Sequence, residues 1–135
     1  MVATTQLEGM RVLVVEDEVL VSMVIEDMLA SFGCEVVGPA GNVGEALTLI
    51  EAAPVDGALL DVNLGGERLG FAVADALVAR GIPFLFVSGY GKSILKSPHL
   101  DAAVLPKPFD EATLRAAVED MLHAPRPVSA AITPP

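Results

Sequence analysis

The sequence predicts an α/β domain with a doubly wound parallel sheet of five strands. Three observations carry this expectation. Apolar runs of strand length alternate with amphipathic helical stretches. The runs are continuous in hydrophobicity, as in strands buried on both faces, where one-sided strands alternate. Four of them also end at the carboxyl side in polar groups. Arg11 to Val15 is followed by Glu16-Asp17, and Gly57 to Leu60 by Asp61. Pro83 to Val87 is followed by Ser88, and Ala102 to Leu105 by Pro106-Lys107-Pro108. In an open parallel sheet the carboxyl ends lie along one edge, where ligands bind.

Residues 1–8 read as a short flexible lead and residues 9–123 as the folded domain. The first strand, Arg11 to Val15, gives way at Asp17 to a helix whose apolar stripe is Val21, Val24, Ile25, Met28, Leu29 and Phe32,. Gly33 stops it. Cys34 to Val37 is the second strand, ended by Gly38-Pro39. Asn42 caps the next helix with Glu45 three residues on, and Ala46, Leu47, Leu49 and Ile50 carry it to Pro54,. The third strand ends at Asp61, and a glycine-rich loop from Val62 to Gly70 follows. Phe71, Val73, Ala74, Leu77 and Val78 mark a third helix ended by Gly81. After the fourth strand, Tyr90 to Leu100 is irregular, with at most about two helical turns. Asp110 caps a final helix bearing Thr113, Leu114, Ala117, Val118, Met121 and Leu122,. Residues 124–135 carry four prolines and read as a disordered tail,. Five strands alternating with five helices fit the flavodoxin-like (βα)5 order 2-1-3-4-5, which places the ends of strands 1 and 3 at the switch point.

Composition excludes several classes. The chain has 135 residues, 53% of them hydrophobic, enough for one domain with a proper core,. A net charge of -10, from 18 acidic and 8 basic residues, argues against nucleic acid and against an anionic membrane,. Cys34 has no disulfide partner and reads as a buried, inert thiol,. No segment resembles a signal peptide or a membrane span, so a cytoplasmic setting is expected. His99 and His123 lack metal-ligand partners, and Gly65-Gly66 reads as turn geometry, with no phosphate-loop pattern after it.

Glu16, Asp17 and Asp61 converge at the switch point. Three carboxylates this close repel one another, and at least one pKa would rise. A hard divalent cation relieves the repulsion. Mg²⁺, with Mn²⁺ as a substitute, needs one or two carboxylates and keeps several waters. Asp17 and Asp61 are the candidates for direct ligation, Glu16 through a water, and the Asn63 backbone carbonyl completes the set. Ser88 offers a hydroxyl and Lys107 an ammonium at the same edge. Metal, ammonium and hydroxyl around a carboxylate form a cage for a phosphoryl group, with Asp61 as a nucleophile that becomes an aspartyl phosphate. Leu20 and Met23 lie beside the core stripe of the first helix, near this edge, and suggest a docking face for a partner helix bundle.

The motifs Val15-Glu16-Asp17-Glu18, Leu60-Asp61-Val62-Asn63-Leu64, Ser88-Gly89 and Lys107-Pro108-Phe109, in this order at strand ends, resemble those of two-component response-regulator receiver domains. The resemblance implies a phosphoacceptor signalling domain, not a turnover enzyme. Asp61 would take a phosphoryl group from a histidine kinase or histidine phosphotransferase in a Mg²⁺-dependent reaction. Glu16 and Asp17 would be its acid pair, Lys107 its ion partner and Ser88 the hydroxyl that follows the phosphoryl group. It also implies a cis Lys107–Pro108 bond and slow self-catalysed dephosphorylation. Phe86-Val87-Ser88-Gly89-Tyr90-Gly91 is similar to the signature of the FAT GUY receivers, mostly stand-alone alphaproteobacterial proteins of stress signalling, often paired with HWE-type kinases. Val104 stands where most receivers carry an aromatic switch residue, and Gly65 where proline is usual. The stretch between Ser88 and Lys107 is short, and Tyr90 is the replacement candidate for the switch. With no recognisable output domain in the sequence, signalling is expected to pass to an unknown downstream protein. Three alternatives compete: a Mg²⁺-dependent phosphohydrolase using an aspartyl phosphate, the receiver part of a longer regulator, and a pseudo-receiver that binds partners without phosphorylation. Asn63 counts against the first, because haloacid-dehalogenase-like phosphatases place an Asp there.

Overall fold

The computed structural model describes residues 7–62, 70–89 and 103–123. Its strands are β1 (Arg11–Val15), β2 (Glu35–Ala40), β3 (Gly57–Asp61), β4 (Phe84–Ser88) and β5 (Val104–Pro106). The helices described are α1 (Val19–Ser31), α2 (Val43–Ala52), α3 (Gly70–Ala79) and α4 (Glu111–His123). All strand pairs are parallel and the order is β2-β1-β3-β4-β5, as expected. The expected short helix within 90–100 and the tail 124–135 lie outside the described residues.

Alternate residues of each strand feed two cores. Leu13, Val15, Ala58, Leu60 and Phe86 pack with Ala46 and Ile50 of α2 and with Val73, Ala74 and Leu77 of α3. Val12, Val14, Leu59, Leu85 and Val87 pack with Ile25 and Leu29 of α1 and with Leu114, Val118 and Met121 of α4. Both faces are covered, which is why the strands read as unbroken apolar runs. At the end of α1, Gly33 adopts φ 90°, the left-handed conformation that a helix stop requires,.

Three expectations change. Leu7, assigned to the flexible lead, is fully buried, and the Gly9 amide donates to the Gly33 carbonyl at 2.8 Å. The second strand does not end at Gly38-Pro39 but runs to Ala40 with a register shift between Leu13 and Val15 of its neighbour. Here β2 is an edge strand with a local irregularity, and proline is tolerated in both settings. On α1 the core face is rotated. Val24 is 49% exposed, while Ser22 is buried with its hydroxyl donating to the Val19 carbonyl at 3.0 Å. Leu47 on α2 is likewise at the surface.

The expected caps form. Asn42 Oδ1 accepts from the Glu45 amide at 2.9 Å, and Glu45 Oε1 accepts from the Gly41 amide at 2.8 Å. Asp110 Oδ1 accepts from the Thr113 amide at 2.8 Å, and the Thr113 hydroxyl first, then this amide, hold its carboxyl below the usual range. Replacing Asn42 by Ala removes the acceptor and leaves the α2 amide to water. It is expected to cost about 1 kcal/mol in urea unfolding with an unchanged m-value.

Candidate functional site

The switch point between β1 and β3 gathers the acidic cluster. β1 ends at Val15 beside Leu60, so Glu16 and Asp17 emerge next to Asp61. Ligand oxygens of Glu16, Asp17 and Asp61 all lie within 4.8 Å of one another. Glu16 and Asp61 are buried, and Asp17 is exposed at the rim. The Glu16 carboxylate is anchored by the Glu18 amide, which donates to Oε2 at 3.2 Å.

β4 and β5 supply the opposite wall. The Lys107 amide donates to the Ser88 carbonyl at 2.9 Å, which ties the two strand ends together. The Lys107 ammonium then lies 3.4 Å from Glu16 Oε1 and 3.9 Å from Asp61 Oδ1. Ser88 is buried at the same edge. The Lys107–Pro108 bond is cis, as the resemblance implied.

Burial, and then the negative charge of Asp61, push the Glu16 carboxyl up to about 7 from 4.5, while the Glu18 amide and Lys107 pull the other way. One ammonium is thus insufficient to neutralise the cluster, and a group of carboxylate oxygens this close suits a hard cation. The residues fit Mg²⁺: three all-oxygen ligands, with an exposed Asp17 giving access. Asn63, Tyr90, Gly65, Gly66 and His99 lie outside the described residues. Cys34 is buried and its thiol is pushed up by desolvation, as an inert core thiol should be. His123 is exposed on α4. Among the described residues no helix is long and apolar enough to cross a membrane.

The apolar surface beside the site is larger than Leu20 and Met23 suggested. They are 78% and 53% exposed, and Val19 and Val24 join them. Leu20, Val21 and Val24 face Lys107, Pro108 and Phe109 across a groove of about 350 Å³. Pro108-Phe109 directly after the lysine is the sequence signal of this apolar wall, and the exposed Val24 faces it.

A family model described as "Response regulator receiver domain" matches residues 12–119. The transcriptional regulatory protein PdtaR of Mycobacterium tuberculosis is 34% identical over 113 residues, taking in 81% of this chain and 55% of PdtaR. The chain thus spans about half the length of that curated relative. The solution structure of SdrG from Sphingomonas melonis Fr1 superposes with a TM-score of 0.74 at 38% identity, over 84% of this chain and 97% of SdrG. SdrG has also been solved in a BeF3-activated conformation. The receiver domain of the sensor histidine kinase PA1611 from Pseudomonas aeruginosa PAO1 matches with a TM-score of 0.70 at 26% identity, over 84% of this chain and 98% of that one. It was solved with a magnesium ion coordinated in the active site cleft. With its five-stranded parallel sheet and acidic edge, this chain belongs to the response regulator receiver domain family, the phosphoacceptor module of two-component systems.

Proposed function

We propose that this chain is a single-domain response regulator that accepts a phosphoryl group on Asp61 from the phosphohistidine of a kinase or phosphotransferase and signals by protein contact. The observation that carries this reading is the Glu16–Asp17–Asp61 cluster with the Lys107 ammonium 3.4 Å from Glu16 and 3.9 Å from Asp61. An Asp61 oxygen forms the new P–O bond while the donor's P–N bond breaks. The imidazole nitrogen keeps that electron pair and takes up a proton. Lys107 and Ser88 meet the phosphoryl oxygens, and Glu16 and Asp17 with Asp61 hold Mg²⁺ or Mn²⁺. When bound, the cation supplies positive charge that offsets the developing charge on the phosphoryl group. The edge is otherwise too acidic for a dianion, since a unit pair at ~4 Å is worth ~4 kcal/mol at an effective dielectric of ~20.

Similarity over nearly all of SdrG supports the single-domain organisation. The Phe86-Val87-Ser88-Gly89-Tyr90-Gly91 signature supports a FAT GUY receiver paired with an HWE-type kinase, with Ser88 and Tyr90 as switch residues in a cytoplasmic protein. Partial coverage of PdtaR favours a second reading, a receiver within a longer regulator. The mass of the native protein on an immunoblot separates the two.

The test of phosphoryl uptake is intact mass after incubation with a small amidophosphate and Mg²⁺, with and without chelator. A Mg²⁺-dependent, stoichiometric phosphoryl adduct is expected. No adduct sinks the reading, and steady turnover of phosphate esters replaces it with a phosphohydrolase.

The donor docks on the α1 groove in this reading. Leu20→Ala and Met23→Ala are expected to leave stability within about 0.5 kcal/mol, because both side chains are exposed,. Transfer from the kinase should fall about tenfold relative to transfer from the small donor, the size of a lost interface contact worth about 1.4 kcal/mol. Paired kinase and small-donor kinetics check this.

A further inference from the structure

Beyond Val62 the chain returns to the peptide it has just left. Gly70, the first residue of α3, is buried, and its amide donates to the Val62 carbonyl at 3.4 Å. A methyl group on Gly70 would lie 2.4 Å from the Asp61 carbonyl oxygen, 3.3 Å from the Asp61 carbonyl carbon and 3.2 Å from Val62 Cα. These are backbone atoms and cannot swing aside. The φ of Gly70 is outside the left-handed range, so the glycine is there for space and not for backbone conformation,.

We infer that Gly70 is a positioning residue for Asp61: the close approach of α3 to the Asp61–Val62 peptide sets how the carboxylate is presented at the sheet edge. The inference rests on Asp61 as the phosphoacceptor. Both bodies that meet here are firmly held. β3 is central in the sheet and paired up to Asp61 beside Val87. α3 is locked by Val73, Ala74 and Leu77 in the core. A side chain at position 70 therefore displaces the junction between them, which is the phosphoacceptor's own peptide. Group transfer is sensitive to such shifts, since a misplacement of about 1 Å can cost about a hundredfold in rate.

Gly57, at the opposite end of β3, provides the control. A methyl there would meet Met121 Cε at 2.7 Å and Leu122 Cδ2 at 2.8 Å, the tips of flexible side chains remote from the acidic edge. The experiment compares Gly70→Ala with Gly57→Ala by three measurements. These are the rate of Asp61 phosphorylation by a small amidophosphate at saturating Mg²⁺, the ¹⁹F spectrum of the beryllofluoride adduct, and the thermal midpoint. Gly70→Ala is expected to lower the rate about tenfold or more and to shift the ¹⁹F signals. Gly57→Ala should keep the wild-type rate and spectrum even where it loses as much thermal stability. A wild-type rate and spectrum in Gly70→Ala overturns the inference, as does a loss of rate in both variants that tracks stability. If Gly70→Ala does not fold, Phe71→Ala carries the test. It frees the start of α3 by removing the edge-on contact with Phe86, at 5.2 Å between ring centroids, and leaves Gly70 in place. It too should slow phosphorylation beyond its cost in stability, and an unchanged rate overturns the inference. Failure of the wild type to accept phosphoryl removes the reading of Asp61 and this inference with it. An active wild type with an equally active Gly70→Ala removes the inference alone.

Discussion

Asp61→Asn is expected to abolish phosphoryl uptake and, in the absence of metal, to make the protein more stable above neutral pH. The first effect follows from chemistry: an amide has no anionic oxygen to attack phosphorus, and Asp61 is the carboxylate that ends the central strand β3, buried with the Lys107 ammonium 3.9 Å from its Oδ1,. The second follows from charge. Asp61 is one cause of the raised Glu16 pKa, so its carboxylate repels Glu16 in the folded state. Removing that charge lets Glu16 ionise at lower cost and leaves it the nearer partner of Lys107, at 3.4 Å. The gain is on the order of 1 kcal/mol, because the lost attraction between Lys107 and Asp61 offsets part of the relieved repulsion. Urea unfolding with chelator checks the sign, and intact mass with a phosphodonor checks the chemistry. A variant that is inert but less stable than wild type would mean that Asp61 is held by contacts that outweigh the repulsion. A variant that still takes up phosphoryl would move the acceptor elsewhere.

The acidic edge was legible in the sequence because each of its residues interrupts an apolar run. Asp61, Glu16-Asp17 and Lys107 stand where buried strands stop, and a parallel sheet allows those stops one common edge. The strand order followed from the same pattern. What was not legible depends on rotation and distance. Helix α1 is apolar on more than one face, with Val19, Leu20, Met23 and Val24 all exposed, so its stripe could not show which side faces the sheet. Ser22 was invisible as a core residue because its hydroxyl is satisfied within its own helix. Gly38-Pro39 read as a strand end because the edge position that tolerates proline is known only once the sheet is assembled. Leu7 is a lone apolar residue among polar ones, and periodicity cannot detect a single anchor. Gly70 looked like any loop glycine, and only the return of α3 onto Asp61 reveals what it makes room for.

Stability without metal is expected to fall as pH rises from about 4.5 to 7, and Mg²⁺ is expected to cancel most of that fall,. The Glu16 carboxyl titrates near 7 in the folded protein against 4.5 ordinarily, chiefly from burial and then from the Asp61 charge. The native state therefore holds the proton more tightly than the unfolded chain does. Its contribution is complete below the unfolded value and is lost as pH rises through the folded value, so the decline spans about pH 4.5 to 7 and levels off above,. The loss is roughly 3 kcal/mol, a large share of the net stability of about 5–15 kcal/mol usual for a domain. Carboxylates that bind a cation must be ionised, so Mg²⁺ gains affinity over the same window. A cation at about a hundred times its dissociation constant stabilises the folded state by about 2.7 kcal/mol, enough to cancel most of the decline. Thermal midpoints between about pH 5.5 and 8 should thus fall with chelator and stay nearly level with Mg²⁺. Glu16→Gln should flatten the chelator profile, since the group that titrates is gone. Equal Mg²⁺ stabilisation at both ends of the range would instead assign the cation to Asp17 and Asp61 alone. A flat wild-type profile with chelator would mean that the Lys107 ammonium, 3.4 Å from Glu16 Oε1, keeps that carboxyl ionised throughout.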